Sequence, residues 1–248
     1  MRVGALTGIL LGLAASVASA APSPKTNDSA QPHATRRNAW SVGFTGLRHA
    51  LKAGDGNELT GNGGDVQFGR GYIGDSWFGD ATLDILLGPF DPTFDRQFNV
   101  DYLGTGATVT AGFSAQSKSL RSAEGGYGFA LSLSYADIVG HSIGKNRQDS
   151  GLDRPEDRAL PSDYTMRVTY FSLTPSIFFA WLEPPRPAGN TPDLLTTRVE
   201  GYFLNLGVSM PLLASYQAKQ TVGDQQVTES GQLRGYSIVV GLSAMLGT

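Results

Sequence analysis

The sequence predicts an all-β fold, a closed antiparallel up-and-down transmembrane β-barrel of eight strands. Three observations predict it: strands with one large apolar face and one face of small residues, an export signal, and lysines that avoid the strand centres. Residues 127–135 show the pattern best, with Tyr127, Phe129, Leu131, Leu133 and Tyr135 alternating with Gly128, Ala130, Ser132 and Ser134. Small residues suit a narrow, crowded lumen, whereas the apolar face suits contact with lipid.

Three segments divide the chain. Residues 1–20 carry Arg2, an apolar run and the small residues Ala18-Ser19-Ala20, which together are typical of a secretory signal peptide. Residues 21–37 hold three prolines among polar residues without apolar periodicity, and predict a flexible leader. Residues 38–248 form the predicted outer-membrane β-barrel domain, and their number suits a single all-β domain.

Composition excludes several functions. The formal net charge of −3 leaves no basic field for nucleic acid, and the absence of cysteine excludes disulfides and thiolate chemistry. No apolar run after the signal reaches the 18 residues of a membrane-spanning helix, whereas a barrel strand needs only about 9 to 11 alternating residues. The five lysines, which we place in the leader, loops and strand ends, are Lys25, Lys52, Lys118, Lys145 and Lys219.

The alternation places eight strands. We expect them at residues 39–48, 66–73, 77–87, 98–116, 127–139, 164–181, 198–213 and 233–246. An alternative joins residues 68–87 into one strand and splits residues 98–116 at 104–106, and taking both turns gives ten strands. Pro175 and Pro211 lack an amide donor, so a bulge or strand end is expected near each.

Loop lengths predict the orientation, because outer-membrane barrels have short periplasmic turns and long external loops. With the N-terminus inside, the external loops are residues 48–65, 88–97, 140–163 and 214–232, and the proline-rich segment 183–197 is an inner turn. Aromatic residues near the predicted strand ends are expected to form interfacial girdles, and these are Trp40, Trp77, Phe98, Tyr127, Tyr164, Trp181 and Tyr216.

From residue 39 onward the chain resembles the small outer-membrane barrels of Gram-negative bacteria, the group of the OmpA transmembrane domain, OmpX and opacity-type proteins. The resemblance rests on alternation, turn spacing and the signal peptide, with no diagnostic motif, so it implies fold and not function. Such barrels commonly end in an aromatic residue that the assembly machinery recognises. This chain departs from that pattern and ends Met245-Leu246-Gly247-Thr248.

Some barrels of this size are lipid hydrolases, which makes His141 and Ser142 worth weighing. The lipid A deacylases use a His and a Ser separated by one residue, so that both share a strand face. Here the two are adjacent and point to opposite faces of a strand, whereas a nucleophile and its base must lie within hydrogen-bond reach. We interpret His141 as a solvated histidine at the start of an external loop. His33 and His49 have no nucleophile pattern near them.

Two further groups are candidates for binding. Residues 55–65 are rich in oxygen ligands for Ca²⁺, but they do not match the EF-hand order and are better interpreted as a flexible external loop. The charged cluster at residues 153–158 is interpreted as a solvated loop. Charged residues within or beside strands are expected to pair in the lumen wherever they face it, and these are Asp84, Arg167, Arg198, Glu200 and Arg234.

The sequence thus predicts a non-enzymatic outer-membrane protein with a structural or surface-interaction role through its external loops. Its expected partners are outer-membrane lipid and lipopolysaccharide, the barrel-assembly machinery and an extracellular partner at the loops. We expect no cofactor, and no catalytic, cofactor-binding or metal-binding residue is assigned. Two alternatives stay open: an exported soluble barrel with an apolar ligand inside, and an outer-membrane lipid hydrolase.

Overall fold

The computed structural model describes residues 37–53, 58–92, 100–116, 120, 125–143, 162–183, 198–222 and 225–247. They form eight strands: β1 (Arg37–Ala53), β2 (Glu58–Ile73), β3 (Trp77–Pro92), β4 (Val100–Ser114), β5 (Gly125–Ile143), β6 (Ser162–Leu182), β7 (Arg198–Val222) and β8 (Gln225–Gly247). Within this part of the chain, no helix is long and apolar enough to cross a membrane. The predicted signal peptide and leader lie almost wholly outside the described residues.

Each strand pairs antiparallel with its neighbours in sequence, and β8 pairs with β1 to close the barrel. The paired positions are staggered along the barrel axis from one strand to the next. A row of paired residues that starts at Arg37 crosses all eight strands and returns to β1 at Leu47, ten residues further along. A shear of this size tilts the strands in the usual way for a small barrel. The predicted fold class is therefore confirmed.

A tight turn at residues 74–76 settles the strand count. The amide of Gly74 donates to the carbonyl of Trp77 at 2.7 Å, and this turn joins β2 to β3. β4 runs unbroken through Gly104 and Gly106, where the alternative placed a turn. The first of the eight-strand arrangements is thus confirmed, and the ten-strand count is wrong.

Seven of the eight strands extend beyond the predicted bounds, and only β4 is shorter than predicted, so the connections at the loop end are shorter than expected. Residues 54–57, 93–99, 144–161 and 223–224 join the strands at one end, which we call the loop end. The other end holds the start of β1 and the finish of β8, and we call it the terminal end. The predicted loops at residues 48–65 and 214–232 are mostly paired strand, because antiparallel hydrogen bonding does not need apolar side chains to continue.

A bulge interrupts β7 close to Pro211. The register shifts by one residue against both neighbours, between Phe171 and Ser172 of β6 and between Ser209 and Ser215 of β7. An extra residue in a strand is the usual consequence of a missing ladder donor, so this expectation is confirmed. The expectation for Pro175 is wrong, since the register of β6 is unchanged across it and the strand does not end there.

The two faces of the wall differ as the alternation predicts. Large apolar side chains point outward and stay exposed, including Leu83 (57%), Phe129 (66%) and Leu242 (53%). The inward face forms two apolar clusters that close the lumen at different heights. The terminal-end cluster contains Ile73, Phe78, Leu120, Phe178, Leu182, Phe203 and Met245, and the loop-end cluster contains Leu51, Leu59, Leu86, Tyr102, Ile138, Met166, Val168 and Tyr216.

Aromatic side chains ring the outer wall near the terminal end. Trp40 stacks on Phe68 with ring centroids 5.1 Å apart, and Tyr72 lies 4.9 Å from Trp77. Tyr127, Trp181 and Tyr202 continue the ring on exposed positions. Four of the predicted girdle residues therefore lie in it: Trp40, Trp77, Tyr127 and Trp181. Tyr216 instead points into the barrel, and Phe98 and the side chain of Tyr164 lie outside the described residues.

β8 rises above its neighbour β1. Its residues 225–232 pair with β7, whereas β1 begins to pair with β8 only at Leu233. Along residues 225–232, no described strand pairs with the other edge of β8. Lys52 and Lys219 also lie toward the loop end, where their side chains are exposed.

Candidate functional site

A polar chamber lies inside the barrel between the two apolar clusters. Its cavity has a volume of ≈ 80 Å³. β2 and β3 supply carboxyl groups on one side, and β4, β5 and β6 supply hydroxyl groups on the other, because alternate residues of every strand face inward. The polar residues that line it are Thr45, Asp65, Gln67, Asp80, Asp84, Thr108, Thr110, Ser132, Ser134, Thr174, Ser176, Asn205 and Ser243.

Asp84 is held by two threonine hydroxyl groups. Thr82 donates to Oδ1 at 2.7 Å, and Thr108 donates to Oδ2 at 2.6 Å. The oxygen of Thr108 also lies 2.9 Å from Ser134 Oγ. Since a hydroxyl group has one hydrogen, Ser134 donates to Thr108 when Thr108 donates to the carboxylate. Both oxygens of Asp84 therefore have a donor from a neutral group.

Asp80 is held in the same way. Ser41 donates to its Oδ2 at 3.0 Å, and the hydroxyl group of Thr110 also bonds to the carboxyl group. Thr110 in turn lies 3.0 Å from Ser132 Oγ. Hydroxyl donors thus take the place that a basic side chain usually has beside a buried carboxylate.

Asp65 differs from the other two aspartates. It bonds to the hydroxyl group and the backbone of Thr45, but its Oδ1 has no hydrogen-bond partner although it is buried. The whole residue is only 7% exposed and lines the cavity. Asn205, across the chamber, has the same deficit at its own buried Oδ1. Buried oxygens without a donor are rare in folded proteins.

The prediction of a paired charge network in the lumen is confirmed in part and wrong in part. Asp84 does face inward, but Arg167 and Arg234 are exposed on the outer wall. Glu200 is partly exposed, and the side chain of Arg198 lies outside the described residues. Among the inward positions whose side chains the structure describes, none carries Lys or Arg. The network was expected because a buried charge needs an opposite charge, whereas the described partners of Asp80 and Asp84 are neutral hydroxyl groups.

His141 lies in β5 and not in a loop. Its side chain is exposed on the outer wall, where its Nδ1 lies 3.2 Å from the hydroxyl oxygen of Thr165. The strand register places Asp101 on its other side, in the same outward row. A hydroxyl partner on a neighbouring strand could not be read from sequence, because the pattern tested was a local His–Ser pair. The side chain of Ser142 lies outside the described residues.

The remaining histidines and the two acidic segments lie apart from His141. His49 is buried in the lumen, with Nδ1 2.8 Å from Ser237 Oγ and Nε2 3.5 Å from the hydroxyl of Tyr102. His33 lies outside the described residues. Residues 58–65 belong to β2, so the interpretation as a flexible loop is wrong for them, and residues 55–57 lie outside the described residues. The cluster at residues 153–158 also lies outside the described residues.

A pair of charges lies on the outer wall toward the loop end. The guanidinium group of Arg167 donates to both oxygens of Asp137, with Nε 2.9 Å from Oδ1 and Nη2 2.5 Å from Oδ2. Thr169 adds a hydroxyl donor to the same carboxylate. Among the described residues, no three His, Asp or Glu side chains are placed to hold a metal ion.

Comparison with known proteins gives matches among solved structures alone. No protein family matches the sequence, and no curated protein does. The chain is similar to the outer membrane protein OprG from Pseudomonas aeruginosa, at 12% identity over 86% of this chain and 97% of that one, with a TM-score of 0.47. Neisserial surface protein A matches at 11% identity over 83% of this chain and 96% of that one, with a TM-score of 0.38. The outer membrane protein AlkL matches at 11% identity over 92% of this chain and 97% of that one, with a TM-score of 0.31.

Proposed function

We propose that the chain is an integral outer-membrane protein that is not an enzyme, with a structural or surface-interaction role through the segments at its loop end. One observation carries the membrane location. Large apolar side chains cover the outer wall of the closed barrel, and a girdle of aromatic residues borders them at the terminal end. Monomers in water rarely expose an apolar surface of this extent, whereas a lipid-facing barrel has both features.

The same observation contradicts the soluble alternative. A barrel that holds an apolar ligand would turn its large apolar residues inward. Leu131 (46%) and Leu206 (37%) are exposed on the outside, and the inward residues of the same strands include Ser132, Ser134 and Asn205. The interior is polar at mid-height and closed by side chains on both sides of the chamber.

The filled lumen also argues against a role as a diffusion pore. Phe78 packs against Phe178 and Phe203 with ring centroids 4.8 and 4.5 Å apart, and these rings close the lumen below the chamber. The loop-end cluster closes it above. Since barrels of this size are filled by their own side chains, we place the function at the outer surface and at the loop end.

Heat-modifiable gel mobility tests the proposal. Membranes from cells that express the full chain should hold the protein in the outer-membrane fraction, and unboiled samples should migrate differently from boiled ones because the closed barrel resists detergent. A known periplasmic protein serves as the fractionation control. Recovery of the chain with that control, in a form whose mobility does not change on boiling, would contradict the proposal.

A lipid hydrolase is a second candidate, and one contact favours it. His141 Nδ1 and Thr165 Oγ1 meet on the outer wall, in a row with Asp101. A histidine beside a hydroxyl group can take its proton while the oxygen attacks a lipid ester carbonyl, and can return the proton to the leaving alcohol; an acidic neighbour would orient the ring. The loss of lipid A deacylation in both His141→Ala and Thr165→Val, but not in Thr169→Val, would establish this function. Identical lipid A acylation in all strains would support a non-enzymatic barrel.

A further inference from the structure

We propose that the polar chamber binds one monovalent metal cation of the sodium type, with Asp65 as its carboxylate ligand and neutral oxygens as the others. This inference concerns the interior of the barrel and goes beyond the role proposed for its surface. It rests on the charge of the chamber, on the hydrogen bonds of its three aspartates and on the ligand types that surround the cavity.

The chamber gathers three carboxyl groups with no basic side chain described beside them. Asp65, Asp80 and Asp84 line one cavity, and no inward side chain that the structure describes belongs to Lys or Arg. A buried carboxylate without an opposite charge is costly, and the cost rises when several share one low-dielectric space. Hydroxyl donors satisfy hydrogen bonds but supply no positive charge. A cation in the cavity supplies it.

The hydrogen bonds single out Asp65. Asp84 receives a hydroxyl hydrogen on each oxygen, and Asp80 receives two hydroxyl groups. Asp65 is bound by Thr45 and keeps Oδ1 without a donor, although the residue is more than nine-tenths buried and lines the cavity. Asn205 presents a second oxygen without a partner to the same space. Water could donate to these atoms, but water alone would leave the charge uncompensated.

The kind of ligand selects the kind of cation. The lining offers carboxylate, amide and hydroxyl oxygens, which suit hard cations. Divalent ions such as Ca²⁺ take several carboxylates, whereas hydroxyl groups already hold Asp80 and Asp84 and only Asp65 keeps a carboxylate oxygen without a donor. With one free carboxylate oxygen and several neutral oxygens, a single positive charge fits this donor set.

The apolar clusters decide how the cation must be tested. They close the lumen on both sides of the chamber, so exchange in the folded barrel should be slow. The cation is expected to enter while the barrel closes. A short soak of folded protein is therefore the wrong experiment, and the protein must be unfolded and refolded in each salt.

The experiment uses the purified full chain, refolded from urea into detergent micelles in sodium chloride or in choline chloride of equal ionic strength. Choline is too large for the cavity. The wild-type barrel should unfold at a higher temperature in sodium, with a rise of about 3 to 5 °C for each tenfold increase in sodium above its Kd. Asp65→Asn should lose this dependence, while Asp101→Asn, an exposed residue of the outer wall, should keep it.

Three results would overturn the inference. Equal unfolding temperatures of the wild type in sodium and choline would show that protons or water alone fill the chamber. Calcium that stabilises the wild type far more than sodium would contradict the monovalent assignment. A sodium response of Asp65→Asn equal to that of the wild type would place the ion elsewhere. If Asp65→Asn does not fold, as judged by heat-modifiable mobility, the wild-type comparison of sodium with choline decides the question alone.

Discussion

The ring of Phe78 lies 4.5 Å from the ring of Phe203, and together they form the floor of the lumen chamber. Both side chains are almost completely buried. Gly112 makes room for the first ring, because a Cβ at this position would overlap it. The floor therefore depends on one large residue facing one residue without a side chain.

Loss of this floor should cost much of the stability. Phe78→Ala is expected to lower the free energy of unfolding by about 3 to 5 kcal/mol, since it leaves a cavity that neighbouring strands cannot fill. Urea titration of the refolded barrel measures the change. Phe113→Ala removes a ring that is 62% exposed on the outer wall, and is expected to cost less than half as much. Equal costs at the two positions would contradict the assignment of Phe78 to the core.

A charge in the apolar wall tests where the membrane lies. Leu83→Arg places a guanidinium group on the outer wall between the aromatic girdle and the loop end. It should lower the free energy of unfolding in lipid vesicles by about 2 to 4 kcal/mol. Thr228→Arg is the control, because Thr228 is exposed on the same outer face, opposite Lys219, but lies in the part of β8 that rises above β1. This control variant should cost less than about 1 kcal/mol, because the cost of an exposed Arg falls toward the membrane interface. Similar costs for both variants would contradict a lipid-facing band.

Two glycines offer a matched test of packing between strands. A Cβ at Gly69 would overlap the carbonyl oxygen of Ala81 on β3, whereas at Gly46 the nearest atom, the carbonyl oxygen of Val240, is 3.8 Å away. Gly69→Ala is therefore expected to push β2 away from β3 and to lower the yield of refolded barrel. Gly46→Ala should refold like the wild type. Quantifying the unboiled band on gels measures both, and normal refolding of Gly69→Ala would show that β2 shifts freely.

The exposed ion pair should contribute little. Arg167 and Asp137 form a bidentate pair, but their side chains are 52% and 19% exposed. Water and salt screen such a pair, so a double-mutant cycle with Arg167→Ala and Asp137→Ala should give a coupling of about 0 to 1 kcal/mol. A coupling that exceeds this range and persists in high salt would place the pair in a less polar environment than its exposure indicates.

Sequence patterns predicted the fold well because alternation reports directly on the two faces of a strand. The Gly- and Asp-rich residues 58–65 were the main failure, since their composition is typical of a loop while their backbone continues the ladder of β2. Asp84 was placed in the lumen correctly from its parity. Its partners were not, because Thr108 lies on the next strand and the register that brings it within 2.6 Å depends on how the barrel closes.

The part of β8 that extends past β1 is an open sheet edge of eight described residues on an otherwise closed barrel. Exposed edges invite pairing with other chains, and proteins limit this with polar and charged residues. Residues 226–232 read Gln-Val-Thr-Glu-Ser-Gly-Gln, with one apolar side chain among them. Backbone groups along such an edge are satisfied by water, which hydrocarbon cannot provide. The chain thus closes its hydrogen-bond ladder where lipid would surround it, and leaves a polar edge open only where solvent can complete it.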